Sequence, residues 1–386
     1  MSESGQWRGA AAVALALLGL SLSLAYPGLG LLVLALGTGG GLLLQGEVAP
    51  RWARGFGLPA LLAALFLVFN ALVALHPDAA LDSLPEVLPA LLLTLAAVVL
   101  ASLGREPLAL ALGLVVPALL ILSVGLFIYE STIVGWGELF KLTGLYATAH
   151  RNSVAAIFAC GLLYAVVGAF LTLGRWRVLY ALAALFFLFL GYANNSRGAV
   201  LGTLVAVPVI FFRAYPKRVI GASLLLLVTV FVAYHAGVGK SLMLHNGSLE
   251  NGRDAIWSSF IDRALERPWL GLGSHNFAVD QALRSQHPEI APLYYPHSIY
   301  VDVFYSSGII GLVFWAGWFA WLGVSSARHL PAADPALPGL GGALLVFVLI
   351  QGLVDQTFYS FGVLGLLIFG CVLFGMRLSA PARETV

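Results

Sequence analysis

The chain has 386 residues, of which 60% are hydrophobic and only 10% charged. A soluble globular protein carries about 25% charged residues, so a water-soluble fold is excluded and one polytopic membrane domain over residues 1–386 is expected. The formal net charge of +2 gives no reason to expect a nucleic-acid partner; membrane lipids are the expected surroundings.

A spanning helix needs about 20 apolar residues. Twelve stretches qualify by length and composition: Gly9–Tyr26, Gly28–Leu44, Leu58–Leu75, Val87–Leu103, Leu108–Ile128, Asn152–Leu173, Val178–Ala193, Ala199–Phe212, Val219–Tyr234, Ser298–Val324, Leu340–Val354 and Phe358–Leu378. The first resembles a signal peptide but lacks a clear cleavage site and runs straight into a second apolar stretch, so it is kept as a membrane helix. The Gly37–Gly41 run lies within an apolar stretch and reads as a helix-packing surface. Cys160 and Cys371 also fall in apolar stretches and read as small hydrophobes rather than a disulfide or metal pair. The expected fold is therefore all-α, with about twelve transmembrane helices.

Lys and Arg set the orientation. With a cytoplasmic N-terminus, one set of loops holds twelve of them, from Arg8 to Arg383, while the short loops opposite hold only Lys141, Arg151 and Arg197. Both termini are then cytoplasmic. The irregular chain gathers on the opposite face, including one long loop, 235–297. A protein that keeps its loops on one face is expected to work there. No GxxxxGK[ST], GxGxxG or HExxH motif is present, so neither a nucleotide cofactor nor a catalytic zinc is expected.

The long loop is partly helical. Trp257, Phe260, Ile261, Ala264 and Leu265 recur at helical spacing, which predicts an amphipathic helix on the membrane domain. Arg253, one turn earlier, projects on the same inward face and calls for an anionic partner. Arg263 and Arg267 suit the dipole at the helix C-terminus. His275, in the Gly-rich turn Gly271–Phe277, reads as a structural or surface histidine.

Three residues stand out on the loop-rich face. Arg197 sits in the tight NNSRG turn; alone it reads as a snorkelling arginine. With Arg253 it fits a phosphate or pyrophosphate, which guanidinium binds in two-pronged fashion. His297 follows Pro296 at the head of the tenth stretch, near a helix N-terminus that disfavours imidazolium. A neutral imidazole suits a general base. Asp302 is the obvious group to orient it, but on a continuous helix it lies about 140° away around the axis. Tyr300 shares the His297 face and either lines the site or anchors at the interface. Asn152 and Asn195 are further lining candidates, with a helix cap and a turn as their plainer roles.

His297-Ser298, nine residues, Gly308, two residues, Gly311 resembles the motif of the O-antigen ligase family, which is related to O-antigen polymerases and bacterial O-oligosaccharyltransferases. Ser196–Gly198, Asn251–Arg253 and Pro268–Gly273 agree with it, so the resemblance spans most of Asn152 to Leu322. It implies a GT-C-like glycosyltransferase of the bacterial inner membrane with a periplasmic active site and a large periplasmic loop at 235–297. The reaction it implies is metal-independent inverting transfer, with no cofactor, from an undecaprenyl-pyrophosphate-linked glycan to lipid A–core oligosaccharide in lipopolysaccharide biosynthesis. Arg197 and Arg253 would hold the pyrophosphate and His297 would deprotonate the acceptor. A polymerase or a protein O-oligosaccharyltransferase would use the same donor; protein-directed members tend to carry extra chain after the last helix, and here eight residues follow Leu378. From another class, a lipid or polysaccharide transporter would show repeats and midplane charges, neither of which is evident.

Overall fold

The computed structural model describes residues 65–78, 113–128, 151–212, 215–235, 253–273, 280–287, 296–328 and 339–355, apart from positions 67, 71, 114, 122, 126, 127 and 195. The expected spans Gly9–Tyr26, Gly28–Leu44, Val87–Leu103 and Phe358–Leu378 lie outside these residues, as do His275 and Asn195. The regular structure among the described residues is all helical, with no strand.

Eight helices among the described residues build the bundle and its loop cover. Four come in succession: α1 (Arg151–Leu171), α2 (Gly174–Ala193), α3 (Arg197–Phe212) and α4 (Pro216–His235). The loop contributes α5 (Arg253–Ala264) and α6 (Gln281–Gln286), and α7 (Ile299–Arg328) and α8 (Gly339–Gln351) follow. The six long or apolar helices lie within a few residues of the hydrophobic runs, because each run is bounded by the charges and turns that end a helix. Val154–Leu171, Gly174–Gly191 and Ile299–Trp321 are long and apolar enough to cross a membrane. The chain is a multi-pass membrane protein.

Helix α1 is the centre. Ala155, Ala156, Phe158, Cys160, Leu163, Tyr164, Ala165 and Val167 have no exposed surface. A helix apolar on every side must be covered on every side, and α2, α3, α7 and α8 contribute to the same core. Close approach rests on small residues, as packing in lipid requires. A Cβ at Gly161 would lie 2.7 Å from the Phe187 ring, and one at Gly202 would lie 3.0 Å from the Phe347 ring. Helices α1, α3 and α7 start at the same end of this bundle, where α2 and α8 finish; we call it the upper end.

The main departure from an ideal bundle is inside α7. Gly308 has φ +62° and ψ −159°, so Ile299–Ser307 and Ile309–Arg328 are two helices joined at a break. A continuous helix would join Ile309 N–H to the Tyr305 carbonyl and Ile310 N–H to that of Ser306. Here the Pro268–Gly273 turn takes over both sides. Ile309 N–H donates to Pro268 O at 2.8 Å and Ile310 N–H to Trp269 O at 3.2 Å. In return Leu272 N–H donates to Tyr305 O at 2.8 Å and Gly273 N–H to Ser306 O at 2.9 Å. Unpaired backbone groups at membrane depth cost several kcal/mol each, so the exchange is what permits the break.

The segment 65–78 closes this junction. Asn70 Nδ2 donates to Ser306 O at 2.9 Å and to Ser307 Oγ at 3.0 Å, and Leu75 N–H donates to Leu272 O at 2.7 Å. Phe66, one turn below, stacks on Phe314 with ring centroids 4.2 Å apart. Asn70 is buried. Asn70→Ala is expected to cost about 1–3 kcal/mol, the price of stripping partners from buried polar groups. A lowered midpoint of thermal denaturation in detergent measures this; an unchanged midpoint would mean the backbone exchange alone holds the break.

Helix α5 runs beside the first half of α7 in the same direction. Trp257 Nε1 donates to Pro296 O at 3.0 Å at the top, Phe260 meets Tyr305 edge-on at 5.2 Å, and Pro268 reaches Ile309 at the bottom. Its inward face is turned from the expected one. Ser259, Phe260 and Ala264 are buried, whereas Leu265 is exposed. The cause is α6, whose polar groups hold Ser259 and Arg263 inward. Ser259 Oγ lies 3.0 Å from His287 Nδ1. Because the Ser259 hydroxyl donates to Ala255 O at 2.8 Å, His287 is the donor to it.

Candidate active site at the upper end

His297 precedes α7 rather than lying on it. Asp302 N–H donates to Ser298 O at 3.0 Å, which makes Ser298 the first residue to enter the helical ladder. His297 has φ +54°, the only positive φ of a non-glycine residue among the described residues. Left-handed backbone is uncommon outside glycine, though His is among the residues that tolerate it. It persists where the surroundings fix it, and here both flanks are tied. Trp257 of α5 bonds the carbonyl of Pro296, and Ile299 N–H donates to Gly352 O at 2.9 Å, just past α8.

A helical wheel drawn through His297 therefore does not apply. The 140° offset to Asp302 and the shared face with Tyr300 both assume a continuous helix through His297, and the backbone turns before it begins. Asp302 is buried in the first turn of α7, where a carboxylate suits the helix dipole. Tyr300 turns to α8: its hydroxyl donates to Leu349 O at 2.9 Å.

A different acid faces the histidine. Asp355 Oδ1 lies 3.8 Å from His297 Nδ1; the carboxylate side chain is 4% exposed and the imidazole 23%. The separation is longer than a hydrogen bond, and becomes an ion-pair contact only when the imidazole carries a proton on both nitrogens. Asp355 was missed because it falls in the gap between two expected spans. A usable signal was present: it is the only charged residue between Asp334 and Arg377, and an isolated ionisable group in apolar chain is a site candidate by default.

Arg197 is brought to the same end by backbone. It opens α3, and Ser196 before it is buried with its Oγ donating to Asn152 Oδ1 at 3.0 Å. Gln351 Nε2 donates to the Asn152 carbonyl at 3.3 Å, which links the starts of α1 and α3 to the end of α8. A Cβ on Gly198 would lie 2.7 Å from Val354. Asn152 therefore has its side-chain oxygen committed to the Arg197 turn. Arg253 opens α5, half-buried, one turn before the Trp257 contact to Pro296. The upper end thus gathers Asn152, Arg197, His297 and Asp355 around the last turn of α8, with Arg253 at the head of the helix leaning on it.

A second polar cluster lies lower on the loop side. Asp280, 1% exposed, caps α6 by accepting from Leu283 N–H at 3.1 Å. The same carboxylate accepts from Arg263 Nε at 2.9 Å, Arg263 Nη2 at 3.2 Å and the Tyr305 hydroxyl at 2.8 Å. Burial by itself would raise the Asp280 carboxyl; the bonds from Arg263, Leu283 and Tyr305 together outweigh it and hold the group below the usual range. Arg263 also pairs with Glu266. Its role exceeds the dipole interaction expected from its place near a helix end.

Comparison with known proteins matches residues 182–316 to the family model described as O-antigen ligase. A search of curated proteins finds no match to the chain. The matched stretch contains Arg197, Arg253, Asp280, His297, Gly308 and Gly311, and leaves Asn152 and Asp355 on either side. The helices that carry the arginines, the histidine and the break thus lie within the stretch that is similar to the O-antigen ligase family.

Proposed function

We propose that this protein is a glycosyltransferase that moves a glycan from undecaprenyl pyrophosphate to lipid A–core oligosaccharide at the periplasmic face of a bacterial inner membrane. The observation that carries the reading is His297, locked in a left-handed turn against buried Asp355 at the end of the bundle where α3 begins with Arg197. The family match supports it.

In this reading Nδ1 of His297 faces Asp355 and Nε2 is turned to the acceptor. The acceptor hydroxyl oxygen attacks the anomeric carbon of the donor sugar as its proton passes to His297. The bond from that carbon to the pyrophosphate oxygen breaks, with inversion. The leaving pyrophosphate gains negative charge, and Arg197 and Arg253 stabilise it where charge develops. The carboxylate of Asp355 steadies the imidazolium formed in the step. The polar donor head meets the arginines while its polyprenyl chain stays in lipid.

The test is transfer in liposomes with an undecaprenyl-pyrophosphate oligosaccharide as donor and lipid A–core as acceptor, with EDTA present. A larger lipid A product is the expected result. Longer lipid-linked glycans instead would assign a polymerase, and no glycan change with a competent donor would remove the transferase reading. Arg197→Ala and Arg253→Ala are each expected to raise the donor KM about tenfold to a hundredfold, the range of one lost charge-assisted hydrogen bond. Unchanged kinetics for both would remove the pyrophosphate site.

A further inference from the structure

We propose that Asp280 is a positioning residue for donor binding, holding α5 against α7 so that Arg253 stays at the upper end beside the His297 turn. The inference rests on the donor-site reading above. One carboxylate joins three elements: Arg263 of α5, the Leu283 N–H of α6 and the Tyr305 hydroxyl of α7. It is 1% exposed, and its partners Leu283 and Tyr305 belong to one buried apolar cluster with Phe260, Ala264 and Leu272, so water has little access to its bonds.

The lever arm is what links this cluster to Arg253. Arg263 lies ten residues along α5 from Arg253, about 15 Å on an α-helix. Helix α5 and the turn after it touch α7 at three further places, Trp257 to Pro296, Phe260 to Tyr305 and the Pro268–Gly273 turn at the break. The Asp280 contact lies between the first and last of them and fixes rotation about the α5 axis, because it grips Arg263 from the flank that α6 covers. Without that grip α5 keeps its contacts to α7 but loses its polar anchor on the α6 flank, and a small roll about its axis displaces Arg253 at its head. Tyr305 sits six residues past the start of α7, so the same carboxylate also registers the half-helix that follows His297.

The experiment measures equilibrium binding of undecaprenyl diphosphate to the full-length protein in detergent, for the native chain, Asp280→Asn, Arg253→Ala and the double variant. Asp280→Asn is expected to weaken binding about tenfold in the native background and by less than threefold when Arg253 is already Ala. Such non-additivity is the mark of one group acting through another. A threefold or greater loss in the Arg253→Ala background, or no loss in the native one, would overturn the positioning role. If Asp280→Asn is not recovered folded, Tyr305→Phe removes one of the carboxylate's bonds while keeping the ring, and the same additivity criterion applies to a smaller, roughly threefold, shift. Failure of the native protein to bind the lipid would remove the donor-site reading itself, an outcome separate from additivity.

Discussion

His297→Ala is expected to reach the membrane, to match the native protein in thermal denaturation within a few degrees, and to lose transfer by about 10²–10⁴-fold, the usual contribution of a general base. Its side chain is only partly buried and its ring approaches Asp355 no closer than 3.8 Å, so truncation opens no core cavity. The backbone contribution of this turn is made by Pro296 O and Ile299 N–H, which the substitution leaves in place. The loss should appear in kcat, with little change in donor KM, because the imidazole acts on the acceptor proton and the arginines hold the donor. Single-turnover measurements with bound donor would show it directly. Native rates from this variant would sink the base assignment, while a raised donor KM at native kcat would make His297 a donor contact.

The second large effect is expected at Gly308. Its φ of +62° and ψ of −159° fall in a region that is essentially glycine-only. A Cβ there would sit 2.5 Å from the carbonyl carbon and oxygen of Trp269, and 2.6 Å from the Pro268 oxygen. These are backbone atoms fixed by the exchanged hydrogen bonds, so they cannot step aside as a side chain would. Gly308→Ala should cost about 3 kcal/mol or more from strain and displaced bonds, and transfer activity should fall with the folded fraction. Gly317→Ala is the control in the same helix, since nothing lies within 4 Å of a Cβ added there; it should be neutral or slightly stabilising. Equal denaturation midpoints for the two variants would mean that α7 tolerates being continuous.

Much of this was legible in the sequence for a simple reason. In lipid, apolar length alone marks a helix, so α1, α2, α3, α4, α7 and α8 follow the hydrophobic runs closely. The arginine turn at Arg197, the loop helix beginning at Arg253 and the His297 turn were also visible, because charge at the edge of apolar chain is costly without a purpose. What was not legible depends on contacts far apart in sequence. Asp355 meets His297 only because α8 ends against the start of α7. Asp280 shows locally only as a helix cap for Leu283, while its side-chain partners lie 17 and 25 residues away. Asn70 reaches across 236 residues to the break. The direction of Tyr300 and the irrelevance of the Asp302 wheel angle follow from one backbone torsion, φ at His297, which residue spacing does not encode.

The break in α7 also turns the motif spacing into a ruler. Gly308 is anchored to the Pro268–Gly273 turn, and the half-helix between it and Ser298 is nine residues long, Ile299–Ser307. One residue inserted or removed in that stretch would shift the His297 turn by about 1.5 Å and swing it by about 100° relative to its anchor. The contacts to Trp257 and Gly352 could not both survive such a step. The length of this half-helix is therefore more tightly held than any one side chain on it, and a library of single insertions and deletions between Ser298 and Gly308 should read as uniformly inactive where Tyr300→Phe, which keeps the ring and loses only the bond to Leu349, is tolerated.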